Sequence, residues 1–83
     1  MAYNVVYKRS VERDLKRMDK AVSRWLLAKI EEDLPQKAEA CPSLKGKFAG
    51  FCKYRAGDYR IIFTLKEDNI AVLRIGHRGS VYR

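Results

Sequence analysis

Hydrophobic positions follow a helical period in the first part of the chain and a strand period in the last third. Residues 3–8 are rich in β-forming side chains and predict a short first strand. Ser10 is a candidate N-cap for a first helix. Val11, Leu15 and Met18 then recur at helical spacing, which predicts one buried face for this helix.

A second helix is predicted to begin after Asp19, another residue type that caps helices. Its apolar stripe has a spacing of four residues and consists of Val22, Leu26, Ile30 and Leu34. Trp25 widens the stripe, so we expect it in the core together with Met18. Pro35 limits how this helix can continue. Residues 35–50 form a connection that carries Lys37, Lys45 and Lys47.

The segments 51–56 and 59–66 predict a β-hairpin around Gly57-Asp58. Glycine at the first position of a two-residue loop suits a type II′ turn, whose twist matches that of the flanking strands. This turn pairs Ala56 with Tyr59, Arg55 with Arg60, and Lys53 with Ile62. Because side chains alternate between faces, one face is apolar; it carries Cys52, Tyr54, Ala56, Tyr59, Ile61, Phe63 and Leu65.

Glu67-Asp68-Asn69 is predicted as a three-residue loop, since Asn69 tolerates the left-handed backbone that such loops need. The register that follows pairs Leu65 with Ala71, Phe63 with Leu73, and Ile61 with Ile75. The element order is β-α-α-β-β-β. We therefore predict an α+β fold, an antiparallel sheet with two helices packed on one face, and a single domain over residues 1–83.

The charge balance points to a polyanionic partner. Eighteen Lys and Arg face ten acids, a formal net charge of +8, and on so small a surface this attracts nucleic acid. A merely soluble basic protein is the alternative. The second face of the predicted sheet collects five cations, namely Lys53, Arg55, Arg60, Arg74 and Arg78. Arg55 and Arg60 repel each other when directly opposite, so a phosphate held between guanidinium groups is the simplest explanation. A solvated polar face with arginine stems over apolar surface is the alternative.

Other candidate residues carry weaker signals. Tyr82 can stack on a base or move a proton, or it can plug the edge of the core. His77 is the only histidine, and the predicted register places it on the core side beside Tyr59, which favours a structural or positioning role. One histidine and two separated cysteines make no zinc site, and paired carboxylates are missing from the basic face. A nuclease with these residues would act without a metal or cofactor and would need the 2′-hydroxyl of RNA.

Cys41 and Cys52 are the only cysteines and would make a thin disulfide framework, which favours a reducing compartment. The N-terminus has no signal-peptide pattern, and no apolar run approaches the length of a membrane span. We expect a soluble cytoplasmic protein.

Two blocks of the sequence resemble the RelE toxins of the RelE/ParE toxin–antitoxin superfamily. They are the run 53–63 (KYRAGDYRIIF) and the run 72–78 (VLRIGHR) followed by Val81-Tyr82-Arg83, and the loop Leu44-Lys45-Gly46 is also similar. The resemblance covers essentially the whole chain. It implies a ribosome-dependent messenger RNA interferase that activates the ribose 2′-hydroxyl against the adjacent phosphate and leaves a 2′,3′-cyclic phosphate and a 5′-hydroxyl.

The resemblance also implies roles for individual residues. Lys53, Arg60, Arg78 and Tyr82 match the family's catalytic positions: Arg60 would stabilise the scissile phosphate, Arg78 would stabilise charge or protonate the leaving oxygen, Lys53 would be a base or charge partner, and Tyr82 would orient the base. The predicted RNA contacts are Lys45, Lys47, Arg55, Arg74, His77 and Arg83. Some members have a second lysine at the position that Phe51 occupies, so this chain departs from their pattern there. The related YoeB/HigB-type enzymes use Glu and His, so His77 is an alternative acid or base.

The family's usual partner is a small, acidic, helical antitoxin, so the resemblance implies a toxin–antitoxin hetero-oligomer as well as binding to the ribosome and mRNA. Two alternatives remain open. One is a ParE-like toxin that inhibits DNA gyrase by binding, and the other is an RNA-binding module without catalysis.

Overall fold

The computed structural model describes residues 3–44, 46 and 50–77. The strands are β1 (Asn4–Tyr7), β2 (Cys52–Ala56), β3 (Tyr59–Lys66) and β4 (Asn69–His77). The helices are α1 (Arg9–Lys16), α2 (Lys20–Glu32) and the short α3 (Leu34–Lys37), which a 3₁₀ turn at Ala38–Ala40 extends. No helix in these described ranges has the length and apolar character needed to cross a bilayer.

The four strands form one sheet in the order β1-β4-β3-β2. The β2–β3 and β3–β4 pairs are antiparallel, whereas β1 pairs with β4 in parallel. The predicted α+β class is confirmed, but the prediction of a wholly antiparallel sheet was wrong for β1. Its pairing is parallel because the helices between β1 and β2 return the chain, and three antiparallel strands then bring β4 alongside β1 in the same direction.

The helices bury the apolar stripes that the sequence predicted. Val11, Leu26 and Ile30 are fully buried, and Leu34 is buried as well, although it belongs to α3. Pro35 occupies the first turn of α3, where its missing N–H is not needed. The chain therefore breaks at Asp33 and starts a new helix there.

Two predictions about the helices were wrong. Ser10 is not the cap of α1, because the helix begins at Arg9 with Lys8 as its N-cap residue. Trp25 does not lie in the core, since it is 44% exposed. Asp19 is the N-cap residue of α2, as predicted, but its side chain makes no capping hydrogen bond.

The hairpin between β2 and β3 has the predicted register. Ala56 pairs with Tyr59, Arg55 with Arg60, and Lys53 with Ile62. Gly57 has a φ of +60°, the left-handed backbone required at the first position of this turn.

The hairpin between β3 and β4 differs from the prediction. The turn contains two residues, with Glu67 rather than Asn69 in the left-handed region at φ +57°. Lys66 therefore pairs with Asn69, and Phe63 pairs with Val72 instead of Leu73. A β-bulge opposite Ile62/Phe63 then shifts the register by one residue.

The bulge explains why the second half of β4 still has the predicted pairing. Beyond it, Ile61 pairs with Ile75 as expected. Ile70 and Val72 before the bulge and Ile75 after it all belong to the buried core cluster. A regular strand would have placed Ala71 and Leu73 there in place of Ile70 and Val72. The two observed side chains are together larger, so the bulge increases the apolar area that is buried.

Side chains of α1 satisfy backbone groups of β4 at the bulge, beyond the last residue paired with β1. The Ser10 hydroxyl donates to the Leu73 carbonyl oxygen at 2.6 Å. The Ile75 amide donates to Asp14 Oδ2 at 3.0 Å. Buried backbone groups need such partners, so α1 replaces β1 as the neighbour of β4 at this point.

Candidate nucleic-acid interface

Three of the described cations are neighbours on the sheet face opposite the helices. Lys53 and Arg55 are on β2, and Arg60 is on β3 directly opposite Arg55. Lys53 pairs with Ile62, which alternates in phase with Arg60, so all three side chains share one face. Arg55 is exposed, whereas Lys53 and Arg60 are half-buried.

The Arg55–Arg60 pair costs the sheet stability. Like charges directly opposite each other on adjacent strands destabilise by roughly 0.2–1 kcal/mol. Within the described ranges, no acidic side chain lies within 4 Å of the Lys53 or Arg55 head group. These two cations are therefore available to an anion from outside the molecule.

Ile62 makes this face unusual. It is only 3% exposed, yet it lies on the side opposite the helices and outside the helix-side core cluster. Lys53 and Arg74 are its cross-strand neighbours. A buried apolar side chain next to cationic side chains excludes water from their surroundings. Water then screens the cations less, and their attraction for a phosphate is stronger.

Arg74 is held by the protein's own acid. Its Nε donates to Asp14 Oδ2 at 3.1 Å and its Nη2 donates to Asp14 Oδ1 at 3.4 Å, which forms a two-point contact. The Asp14 side chain is 10% exposed, and that of Arg74 is 48% exposed. Arg74 therefore reaches around the edge of β4 toward α1, away from the Lys53–Arg55–Arg60 group.

The family of the protein follows from its sequence match. Residues 5–82 match the family described as the ParE toxin of type II toxin–antitoxin system, parDE. The chain belongs to this toxin family. The RelE/ParE superfamily inferred from the two sequence blocks is thereby confirmed.

Solved structures of related toxins share the fold. The RelBE2 toxin–antitoxin complex from Mycobacterium tuberculosis has a TM-score of 0.86 at 22% identity, covering 94% of this chain and 100% of that one. The archaeal RelE–RelB complex from Pyrococcus horikoshii gives 0.67 at 27%, covering 98% and 100%. The chromosomal ParDE system from P. aeruginosa gives 0.73 at 16%, covering 93% and 97%. No curated protein has a sequence that matches this chain.

His77 lies beside Tyr59 in this toxin, as the sequence predicted. The two residues pair across β3 and β4, and their rings meet edge to face with centroids 5.4 Å apart at 88°. His77 is nevertheless exposed. It lies at the end of β4, one residue beyond the Gly76 that faces Arg60.

Five predicted site residues lie outside the described residues and stay predictions; they are Lys45, Lys47, Arg78, Tyr82 and Arg83. For Lys45 and Lys47, the structure places Leu44 and Phe51 at the two ends of the connection. Leu44 donates its amide to the Phe51 carbonyl oxygen, so the connection returns alongside the start of β2. Among the residues that are described, no three His, Cys, Asp or Glu side chains cluster as metal ligands do.

Sequence reasoning missed the contribution of α1. Asp14 orients Arg74 and accepts the Ile75 amide, while Arg13 on α1 and Arg17, the C-cap residue of α1, lie near Arg74. One signal was available: Asp14 is an acid within an otherwise basic run, 13–17 (RDLKR). Its partner sixty residues later could not be identified without the fold.

Proposed function

We propose that this toxin is a ribosome-dependent endoribonuclease that cleaves messenger RNA without a metal. The ribose 2′-hydroxyl attacks the adjacent phosphorus and the 5′-oxygen leaves, so the products carry a 2′,3′-cyclic phosphate and a 5′-hydroxyl. Cations and proton-transfer groups of the protein assist the reaction, and the RNA supplies the nucleophile.

The directly opposed Arg55 and Arg60 are the observation that supports this proposal most strongly. A sheet that keeps two arginines face to face loses stability, and the loss has a function if a phosphate binds between them. Guanidinium groups form paired hydrogen bonds with phosphate oxygens. Lys53 on the same face and the buried Ile62 beside it complete a phosphate site of reduced polarity.

Apart from the RNA contact of Arg55, the proposed roles are those that the resemblance to the RelE toxins implies. Arg60 stabilises the negative charge that develops on the phosphorane oxygens. Lys53 is a base or a charge partner, and Arg55 is an RNA contact. Arg78 protonates the leaving 5′-oxygen or stabilises its charge, and Tyr82 orients the base. His77 is the alternative acid or base.

The proposed partners are the ribosome, its mRNA and a cognate antitoxin. Two of the solved relatives described above are toxin–antitoxin complexes. A +8 protein suits a small, acidic, helical antitoxin, because charge complementarity speeds association and selects the partner. We place the toxin–antitoxin hetero-oligomer in the cytoplasm, where ribosomes are found.

A ParE-like gyrase inhibitor is the second candidate, and the match to the ParE toxin family favours it. A gyrase inhibitor acts by binding and needs no phosphate site on the sheet. The two candidates therefore differ in what Arg60 does.

Purified toxin on mRNA-programmed ribosomes tests the proposal. We expect cleavage in the parent protein and a fall in kcat of about 10²–10³-fold in Arg60→Ala, the usual cost of removing a group that stabilises transition-state charge. Arg24→Ala, which removes a charge from the exposed surface of α2, is the matched control and should keep full activity. Intact mRNA together with inhibited DNA supercoiling would establish the gyrase function instead. RNA binding without cleavage would establish a binding module.

A further inference from the structure

A cationic cavity lies between the end of α1 and the end of β4. It has a volume of about 300 Å³ and is lined by Asp14, Arg17, Met18, Arg74, Ile75, Gly76 and His77. A smaller cavity of about 120 Å³ adjoins it, sharing Asp14, Arg17 and Arg74 and adding Ser10 and Arg13. None of the roles proposed above uses Arg13, Arg17 or Met18.

The arginines of this cavity face solvent and its acid does not. Across the two adjoining cavities, three arginines (Arg13, Arg17 and Arg74) and one aspartate leave a surplus of two positive charges. Asp14 is 10% exposed and its oxygens accept bonds from Ile75 and Arg74. The Arg74 guanidinium therefore offsets the negative charge of Asp14, and Arg13 and Arg17 supply the net positive charge of the two cavities.

The guanidinium groups of Arg17 and Arg74 can both bind a phosphate. Asp14 takes two of the five N–H donors of Arg74, and the other three remain. Arg17 is exposed, and no acid of the described ranges lies within 4 Å of it. Arg13 and Arg17, four residues apart at the end of α1, also repel each other.

The cavity adjoins the proposed scissile site. Gly76 lines the cavity and pairs directly with Arg60. Directly opposite residues of antiparallel strands have Cα atoms about 5 Å apart, and Gly76 has no side chain to separate the two places. Met18 and the backbone of Gly76 give the cavity an apolar wall against which a flat base can pack.

We propose that this cavity binds the RNA nucleotide that flanks the scissile linkage. Arg17 and Arg74 hold its phosphate, and the wall formed by Met18 and Gly76 packs against its base. This inference rests on the proposed function, because it extends the same RNA beyond Arg60. An acidic protein segment would use the arginines but leave the apolar wall and the continuity with Arg60 without a role.

Fluorescence anisotropy with single-stranded RNA tests the inference. The probes are an uncleavable trinucleotide with a 2′-deoxy scissile position and the same RNA extended by two nucleotides on the 5′ or the 3′ side. Arg17→Gln should weaken binding of one extended probe about tenfold, as expected for one lost charge-assisted contact. It should also reduce the salt slope by about 0.7. The trinucleotide should bind as tightly as it does to the parent.

Arg24→Gln is the matched control, since it removes the same charge from an exposed position that does not line the cavity. Thermal melts of the two variants should coincide, which separates a lost contact from a lost fold. Equal binding of every probe by the two variants would overturn this inference while leaving the nuclease proposal intact.

Two further outcomes would overturn the inference in other ways. A parent protein that binds none of the probes and leaves mRNA intact on programmed ribosomes would overturn the nuclease proposal and this inference together. If Arg17→Gln weakened binding to an acidic helical peptide but not to the extended RNA, the cavity would be assigned to a protein partner.

Discussion

The two faces of the sheet use charged and apolar residues in opposite ways. On the helix side, Ile61, Phe63 and Ile75 are almost fully buried and their contacts stabilise the fold. On the open side, Arg55 and Arg60 oppose each other at a cost in stability. The helix-side face therefore stabilises the fold through buried apolar contacts. The open face carries opposed cations that lower stability and make its surface positive.

The division is not complete at β4. Arg74 has the parity of the open face, yet Asp14 on α1 binds its guanidinium group. β1 ends before the bulge, so the following backbone groups of β4 have no strand partner on that side. Ser10 and Asp14 of α1 form hydrogen bonds with them instead. Beyond the end of β1, the exposed edge of β4 therefore carries two contacts with Asp14: the hydrogen bond from the Ile75 amide and the ion pair with Arg74.

Phe63→Ala removes a core side chain from the helix-side face and should have the largest effect on the free energy of unfolding. Phe63 is fully buried in the core cluster, and such truncations cost roughly 3–5 kcal/mol. We expect the free protein to unfold, or nearly so, in urea titrations followed by circular dichroism. Thr64→Ala, on the opposite face, is the control and should cost far less. Similar midpoints for the two variants would contradict the assignment of the faces.

Asp14→Ala tests the contacts between α1 and the edge of β4. It leaves the Ile75 amide without its partner and frees Arg74. We expect a loss of about 1–3 kcal/mol in the free energy of unfolding, the cost of an unsatisfied buried donor. Asp14→Asn keeps an acceptor for the amide and should recover part of the loss. Equal losses in the two variants would show that charge, and not the hydrogen bond, stabilises the bulge.

Tyr7 and Tyr54 test whether the covered side tolerates polar atoms. The Tyr54 hydroxyl donates to Asp33 Oδ2 at 2.6 Å, whereas the buried Tyr7 hydroxyl has no hydrogen-bond partner in the described structure. Tyr54→Phe should lower the free energy of unfolding by about 1 kcal/mol. Tyr7→Phe should raise it by about as much. A destabilised Tyr7→Phe variant would show that the hydroxyl contributes to stability.

Alkaline pH sharpens the prediction for Tyr7. Burial, with a smaller contribution from Glu31, raises the pKa of Tyr7 to about 12, while the unfolded chain has its usual pKa of about 10. The stability associated with the neutral phenol is therefore complete below pH 10 and is lost as the pH rises toward 12. Thermal melts should show the advantage of Tyr7→Phe over the parent growing across this window.

Arg55→Gln should produce the smallest change in stability, and in the opposite direction to most mutations. Removing the repulsion with Arg60 should stabilise the protein by a few tenths to about 1 kcal/mol, while RNA affinity falls. Lys66→Gln is the control, because Lys66 is exposed and pairs with the uncharged Asn69. A less stable Arg55→Gln variant would show that the two arginines do not repel each other in the free protein.

The sequence alone determined the elements of the covered face and the register of the β2–β3 hairpin. Four-residue spacing fixed the buried stripe of α2, because the helical period requires it. Gly57-Asp58 fixed the pairing of Arg55 with Arg60, because a two-residue turn permits one register only. The superfamily could also be inferred from the sequence, since two blocks of residues have the order and spacing that are typical of its members.

The register at the start of β4 depends on tertiary contacts that the sequence pattern does not show. Apolar residues occupy both parities of this strand, with Ile70 and Val72 on one and Ala71, Leu73 and Ile75 on the other. Alternation cannot choose between two parities that are both apolar. The bulge resolves the choice by switching parity in mid-strand, and it depends on partners that α1 supplies from sixty residues away. For the same reason the Asp14–Arg74 contact and the cavity beside it could not be predicted, since both depend on where α1 packs.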